Sequence, residues 1–262
     1  MGMSASAFKD SRPAEVEGAR SLERLFARLD TAESRSSAFK VRHGSLLAGD
    51  DRATAYDPVS YQVRYLFMAA FDHLGMLKRA LDKDGMPVVA AYPLVRAALE
   101  SAAQALWLTT GGTRRKRVFR ALHRVWNGAS LSDEAVRHLD PRRESSLLEL
   151  RERLDQLLSA SKAGQRSLDV KYPSMTDIVI DAGRAVETHE FRPIDVWRLC
   201  SSMAHGNRSV SLMVLESRPD GPTTDIGGNF VMTTSYQVMA AFVGVVTDLL
   251  EAAIEDQDRL NA

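Results

Sequence analysis

Residues Val88 to Leu108 most constrain what this chain can fold into. The segment is apolar on nearly every side and rich in small residues: Ala90, Ala91, Ala97, Ala98, Ala102 and Ala103. A helix without a polar face has to be surrounded, so this one predicts the centre of a helical bundle. Pro87 begins it, and Pro93 either kinks it or marks its true first turn. Gly111-Gly112 stops it.

The other segments carry the one-sided patterns of helices packed around such a centre. Leu22, Leu25, Phe26 and Leu29 recur at helical spacing after Pro13. Residues 1–12 are small and polar and read as disordered, and residues 33–56 read as a linker rich in Ser, Gly, Asp and Arg. Asp57-Pro58 opens a second helix to about Leu81, with a wide apolar band of Tyr61, Tyr65, Phe67, Met68, Phe71, Leu74 and Leu77. Thr113 caps a helix over 114–127, closed by Asn127-Gly128. A further segment starts at Ser132, breaks at Pro141 and resumes through Ser159. After a loop to Lys171 come a short helix, 175–187, and one opened by Pro193. Val210, Leu212 and Val214 alternate, so 209–216 and 229–234 read as two strands with turns at Asp220-Gly221-Pro222 and Gly227-Gly228. A last helix covers about 235–258. The expected fold is mainly α, a helical bundle with a β-hairpin inserted before its last helix. Residues 1–56 form an N-terminal helix and linker, and 57–262 the bundle with hairpin 209–234.

Composition narrows the function. Lys plus Arg and Asp plus Glu are 34 each, and zero net charge argues against coating nucleic acid through bulk charge while leaving room for a local basic site. One cysteine, Cys200, excludes an internal disulfide framework and metal sites built from several cysteines. There is no apolar run of 18 residues and no hydrophobic signal core, so the expectation is a cytoplasmic protein that engages no membrane. His-Glu-x-x-His, phosphate-binding glycine loops, dinucleotide fingerprints and Gly-x-Ser-x-Gly are all missing. His43, His73, His123, His138 and His189 show no ligand spacing, so neither metal nor cofactor is expected.

Three constellations remain. Arg198 and His205 stand seven positions apart on one helix, close to two turns, so they share a face. A permanent cation whose planar fork suits phosphate, beside an imidazole that titrates near neutrality, is a minimal kit for cutting a phosphodiester. The plainer reading makes Gly206 a helix C-cap and His205 a cation favoured at a helix end. Arg96 and Glu100, four apart on the apolar helix, either line a polar pocket with His205 or form an internal salt bridge. Arg117, Arg120 and Arg124 lie on the side of their helix opposite Val118, Leu122 and Val125. They either track a nucleic-acid backbone or form a solvated face.

These residues resemble the HEPN superfamily of small helical domains. Arg198-x6-His205 is similar to its Arg-x(4–6)-His motif on a late helix. Arg96-Ala97-Ala98-Leu99-Glu100 and Ser201-Ser202-Met203-Ala204-His205 resemble the Arg-x3-Glu and Ser-x3-His elements of related bacterial helical proteins. The resemblance runs from about residue 57 to 258. Leu199 departs from it, because active members often carry a polar residue after the arginine. The resemblance implies a metal-independent endoribonuclease or RNA-binding protein in stress or phage defence, acting as a homodimer whose Arg–His pairs meet across the interface. In that reading His205 moves a proton and Arg198 stabilises transition-state charge, while Arg96 positions a phosphate and Asn207 supplies a hydrogen bond.

Two alternatives stay open. Many related groups are non-catalytic, which corresponds here to a scaffold that binds a partner protein. Arg96, Glu100, Arg198 and His205 would then form one buried polar network. The other is a small-ligand pocket lined by Tyr92, Trp107 and Trp197. An enzyme needs Arg198 and His205 open to solvent and facing their symmetry mates across a groove, the scaffold needs them buried and satisfied, and a ligand pocket needs an enclosed apolar cavity.

Overall fold

A computed structural model describes residues 12–142, 144–161, 167–187, 191–221 and 229–262. The polar N-terminal stretch (Arg12 apart) and the Gly227-Gly228 turn lie outside the described residues. In chain order the elements are α1 (Arg12–Ala38), α2 (Leu46–Ala53), α3 (Val59–Asp84), α4 (Ala91–Thr109) and α5 (Arg114–Leu139). Then follow α6 (Leu147–Ala160), α7 (Met175–Gly183), α8 (Pro193–Ala204), α9 (Arg208–Val214), β1 (Glu216–Pro219), β2 (Phe230–Thr233) and α10 (Tyr236–Asn261). The protein is mainly helical, with an antiparallel hairpin just before the last helix.

The apolar segment is the central helix. α4 packs against α3, α10, α8 and α7. Ala98, Ala102, Ala103 and Ala105 are fully buried, which lets these neighbours approach the α4 backbone. Pro93 sits in the first turn of α4, where its missing N–H costs nothing. α1 and α3 complete the bundle, with Leu22, Phe26 and Leu29 of α1 in the same core as Phe242, Val246 and Leu250 of α10. By length and composition α10 could cross a bilayer, with a mean hydropathy of 1.6, but 67% of that window is buried inside the protein. It is a core helix. A second apolar cluster joins Val118, Phe119 and Leu122 of α5 to Leu154 and Leu158 of α6.

α1 is locked to the start of α10. The Glu15 carboxylate accepts hydrogen bonds from the Ser235 hydroxyl (2.5 Å) and the Tyr236 N–H (2.7 Å), satisfying a donor that the helix itself leaves free. One turn on, a Cβ at Gly18 would fall 2.4 Å from the Gln237 nitrogen and 2.7 Å from the Tyr236 carbonyl carbon. Backbone cannot yield as a side-chain tip can. Gly18→Ala is therefore expected to cost about 1–3 kcal/mol through overpacking, read as a lowered urea midpoint; an unchanged midpoint would mean that α1 can shift freely along α10.

Several local expectations differ from the structure. The 33–56 linker contains the end of α1 and all of α2, which Ser45 caps by accepting from the Ala48 N–H at 3.1 Å. α5 does not stop at Asn127-Gly128, because one glycine costs a helix only about 1 kcal/mol. α7 ends at Gly183 rather than 187, where Pro193 of α8 packs within 3.3 Å of a Cβ added there. Residues 208–214 are helical, not extended, so the strands shrink to 216–219 and 230–233, paired with Glu216 opposite Thr233. Finally, the broad band on α3 is split: Phe67, Phe71, Leu74 and Leu77 are buried, but Tyr61, Tyr65 and Met68 face solvent.

Candidate functional site

α8 begins with Pro193 at its first helical position and turns Val196, Cys200 and Met203 into the core. Its end is a Schellman motif. The Asn207 N–H bonds to the Ser202 carbonyl (3.0 Å), the Gly206 N–H to the Met203 carbonyl (3.1 Å), and Gly206 has φ +67°. Asn207 then caps α9, its side-chain oxygen accepting from the Val210 N–H at 3.2 Å. Ala204-His205-Gly206-Asn207 is thus a corner between two helices, with His205 at the C-cap of α8. The hydrogen-bond capacity expected of Asn207 toward a ligand is spent partly on this cap.

Arg198 and His205 are both exposed. Among the described residues neither has an ion-pair or side-chain hydrogen-bond partner. They are about 10 Å apart along the helix axis. Helical side chains lean toward the N-terminus, so Arg198 leans along α8 toward Arg192, while His205, at the C-cap, falls outside that rule. Arg198 also lines a cleft of about 370 Å³ between α7 and α8. Val179, Ile180 and Ile194 contribute its apolar lining, and Arg184 and Arg192 join Arg198 around it. Arg184 is held by Asp181 at 2.9 Å, and Arg192 makes a two-point contact with Asp195 at 2.7 and 2.9 Å. Arg198 is the uncommitted cation of the three. Chemically, the cleft can take an anion beside an apolar surface. Nothing in the sequence marked Arg184 or Arg192, because only the packing of α7 on α8 brings them to Arg198.

Arg96 and Glu100 form a separate unit. The Glu100 Oε1 accepts from the Arg96 Nε (3.0 Å) and from the Trp197 indole N–H (2.7 Å), and the Arg96 guanidinium lies 5.6 Å from the Trp197 ring centroid. This triad ties α8 to α4 just beside the buried Cys200, whose thiol burial pushes up against the opposing effect of Arg96. The single buried network expected of a scaffold is therefore absent: Arg96 and Glu100 pair internally, while Arg198 and His205 stand outside. The three residues considered for a ligand pocket have their own packing partners. Tyr92 meets Phe242 edge-on, Trp107 meets Tyr172 edge-on, and Trp197 meets Arg96.

The basic stripe on α5 faces inward. Arg117 and Arg120 are buried. Arg117 pairs with Asp50 of α2 at 2.5 Å. Arg120 lies 4.4 Å from the Trp107 ring centroid, bonds the Trp107 carbonyl and pairs with Asp181 at 3.3 Å. Arg124, half-buried, reaches the side-chain oxygens of Gln104 and Gln62, each at 3.4 Å. These arginines make neither a solvated face nor a track for a nucleic-acid backbone, because α5 has helices on two sides and its basic side meets carboxylates and carbonyls. His123 is likewise internal: its Nε2 lies 3.0 Å from the Val170 carbonyl, between Phe119 and Tyr172, and burial lowers its pKa.

Two other features do not compete with the α8 face. A groove of about 580 Å³ runs between α1 and α10, but Arg24 and Arg28 on it are already bound to Glu17, Asp248 and Glu251. Among the described residues no cluster of three or more His, Cys, Asp or Glu could hold a metal ion. Compared with known proteins, the chain matches no family model, no curated protein and no solved structure.

Proposed function

We propose that the chain acts on RNA at the exposed face of α8, as a metal-independent endoribonuclease. One observation carries this reading: Arg198 is an exposed cation without a carboxylate partner, at an arginine-bearing cleft, with an exposed imidazole two turns along the same helix face. The resemblance of Arg198-x6-His205 to the HEPN motif supports it, and the stress or phage-defence setting comes from that resemblance alone.

The chemistry follows from the two groups. His205 accepts the proton of the ribose 2′-hydroxyl as that oxygen attacks the adjacent phosphorus. Arg198 holds the phosphate oxygens and stabilises the added charge on the pentacoordinate transition state. The bond from phosphorus to the 5′ oxygen breaks, and that oxygen leaves with a proton from water. The products are a 2′,3′-cyclic phosphate and a 5′-hydroxyl, and the need for a 2′-hydroxyl excludes DNA. Of the three arginines at the cleft, Arg198 alone is free to hold a phosphate, since Arg184 and Arg192 are paired with Asp181 and Asp195.

Binding is testable apart from cleavage. Arg198→Ala is expected to weaken single-stranded RNA binding about tenfold and to reduce the slope of log affinity against log salt by about 0.7, the share of one phosphate contact. Fluorescence anisotropy on a labelled RNA that lacks 2′-hydroxyl groups at the cleavable positions reads both. An unchanged slope would remove Arg198 from the RNA contact.

A further inference from the structure

The outward face of α3 is unlike the other exposed helix faces. α1 shows solvent Glu17, Arg20, Glu23, Arg24 and Arg28, as expected of a wet surface. α3 shows Tyr61, Tyr65, Met68 and Met76, each between 50% and 65% exposed. Their spacing of four, three and eight keeps them on one stripe about 22 Å long. Single exposed apolar side chains need no explanation, but Tyr61, Tyr65 and Met68 form a contiguous run that marks a contact surface, with Met76 set off beyond Asp72. The charged residues on the same face are Arg64, Asp72, Arg79 and, at its end, Lys83. Arg64 gives one N–H to the Phe39 carbonyl at 2.9 Å, and Asp72 has only a 4.0 Å contact with Arg79.

We infer that this face docks a second copy of the chain, α3 against α3, antiparallel about a two-fold axis through Met68. The argument is self-complementarity, which a two-fold contact demands. About Met68, four residues back is Arg64 and four residues on is Asp72. In the antiparallel pair Arg64 of each copy therefore faces Asp72 of the other, and two ion pairs flank a Met68–Met68 contact. Seven residues back is Tyr61 and seven on is Gly75. The aromatic ring of one copy thus meets Gly75, where the Arg79 guanidinium lies (a Cβ there would be 3.3 Å from it), a cation placed to pack on the ring. A face this narrow falls at the small end of protein interfaces, so the pair is a weak one, with a dissociation constant of about micromolar order. α3 and α8 each pack on α4, and the inference uses no residue of α8; it names a different interface from the one the HEPN resemblance implies, in which the Arg–His pairs meet.

Sedimentation velocity of the full chain up to about 100 µM, with circular dichroism as the folding control, tests this. Wild type is expected to dimerise. Met68→Lys sets two ammonium groups at the axis and should raise the dissociation constant at least about tenfold. Asp72→Arg sets it against Arg64 and should do the same. Combining Asp72→Arg with Arg64→Asp restores opposite charges and should return the dimer. A wild type monomeric throughout, a folded Met68→Lys as dimeric as wild type, or a folded charge-swapped double variant no better than Asp72→Arg alone would each overturn the inference.

Discussion

Asp50→Ala is expected to destabilise the fold by about 3–5 kcal/mol, the typical cost of stranding one member of a buried ion pair. Asp50 has no exposed surface, and the Arg117 side chain is only 6% exposed. Arg117 reaches Asp50 across the α2–α5 contact at 2.5 Å, and the Arg114 Nε stands 3.6 Å away on the outer side. Burial pushes the Asp50 pKa up while both arginines oppose it. Arg117 cannot escape to water, because its stem packs over Gly111, where a Cβ would lie 2.6 Å from the Arg117 Cγ. Removing the carboxylate leaves a guanidinium trapped without its counter-charge. The companion variant carrying Asp50→Leu and Arg117→Met should recover most of the loss, since an apolar pair of similar volume is often as stable. Urea denaturation measures both. A cost below about 0.5 kcal/mol for Asp50→Ala would mean that Arg117 finds another partner or swings out.

His205→Ala is expected to lower RNA cleavage by about 10²–10⁴-fold, the usual worth of a positioned general base. Its stability should hardly change, because the imidazole is exposed and has no side-chain partner. The Schellman motif that fixes this corner uses backbone groups and Gly206, none of which the substitution touches. Activity and melting temperature are therefore expected to separate in this variant, as they do not for Asp50→Ala. If activity persists in folded His205→Ala, the proton acceptor is another group.

The central helix was legible because a segment apolar on nearly every side has few other uses, but it starts at Ala91, and Val88, Val89 and Ala90 before it are exposed. The Gly206 cap was legible too, since a glycine after a helical pattern has few other meanings. What the chain hides is what depends on a neighbour. Arg117 and Arg120 look like a solvent stripe until Asp50 and Asp181 arrive from distant segments to meet them. α2 was invisible because its eight residues are too few for a periodic signal, and one of its anchors is that same Asp50. Residues 208–214 misled because three alternating apolar residues fit a strand as well as a short helix. The Asn207 cap decides for the helix. Of the site, Arg198 and His205 could be paired by spacing alone, whereas Arg184 and Arg192 required α7 to fold against α8.

The central claim is metal-independent RNA cleavage by the 2′-hydroxyl route, and the ends of the products test it most directly. Wild-type protein would be incubated with a defined single-stranded RNA in EDTA and the fragments identified by mass spectrometry. The account predicts 2′,3′-cyclic phosphate and 5′-hydroxyl ends, with no cut at any position carrying a 2′-deoxyribose. Ends of 3′-hydroxyl and 5′-phosphate type, cleavage that needs a divalent metal, or an RNA left intact would contradict it.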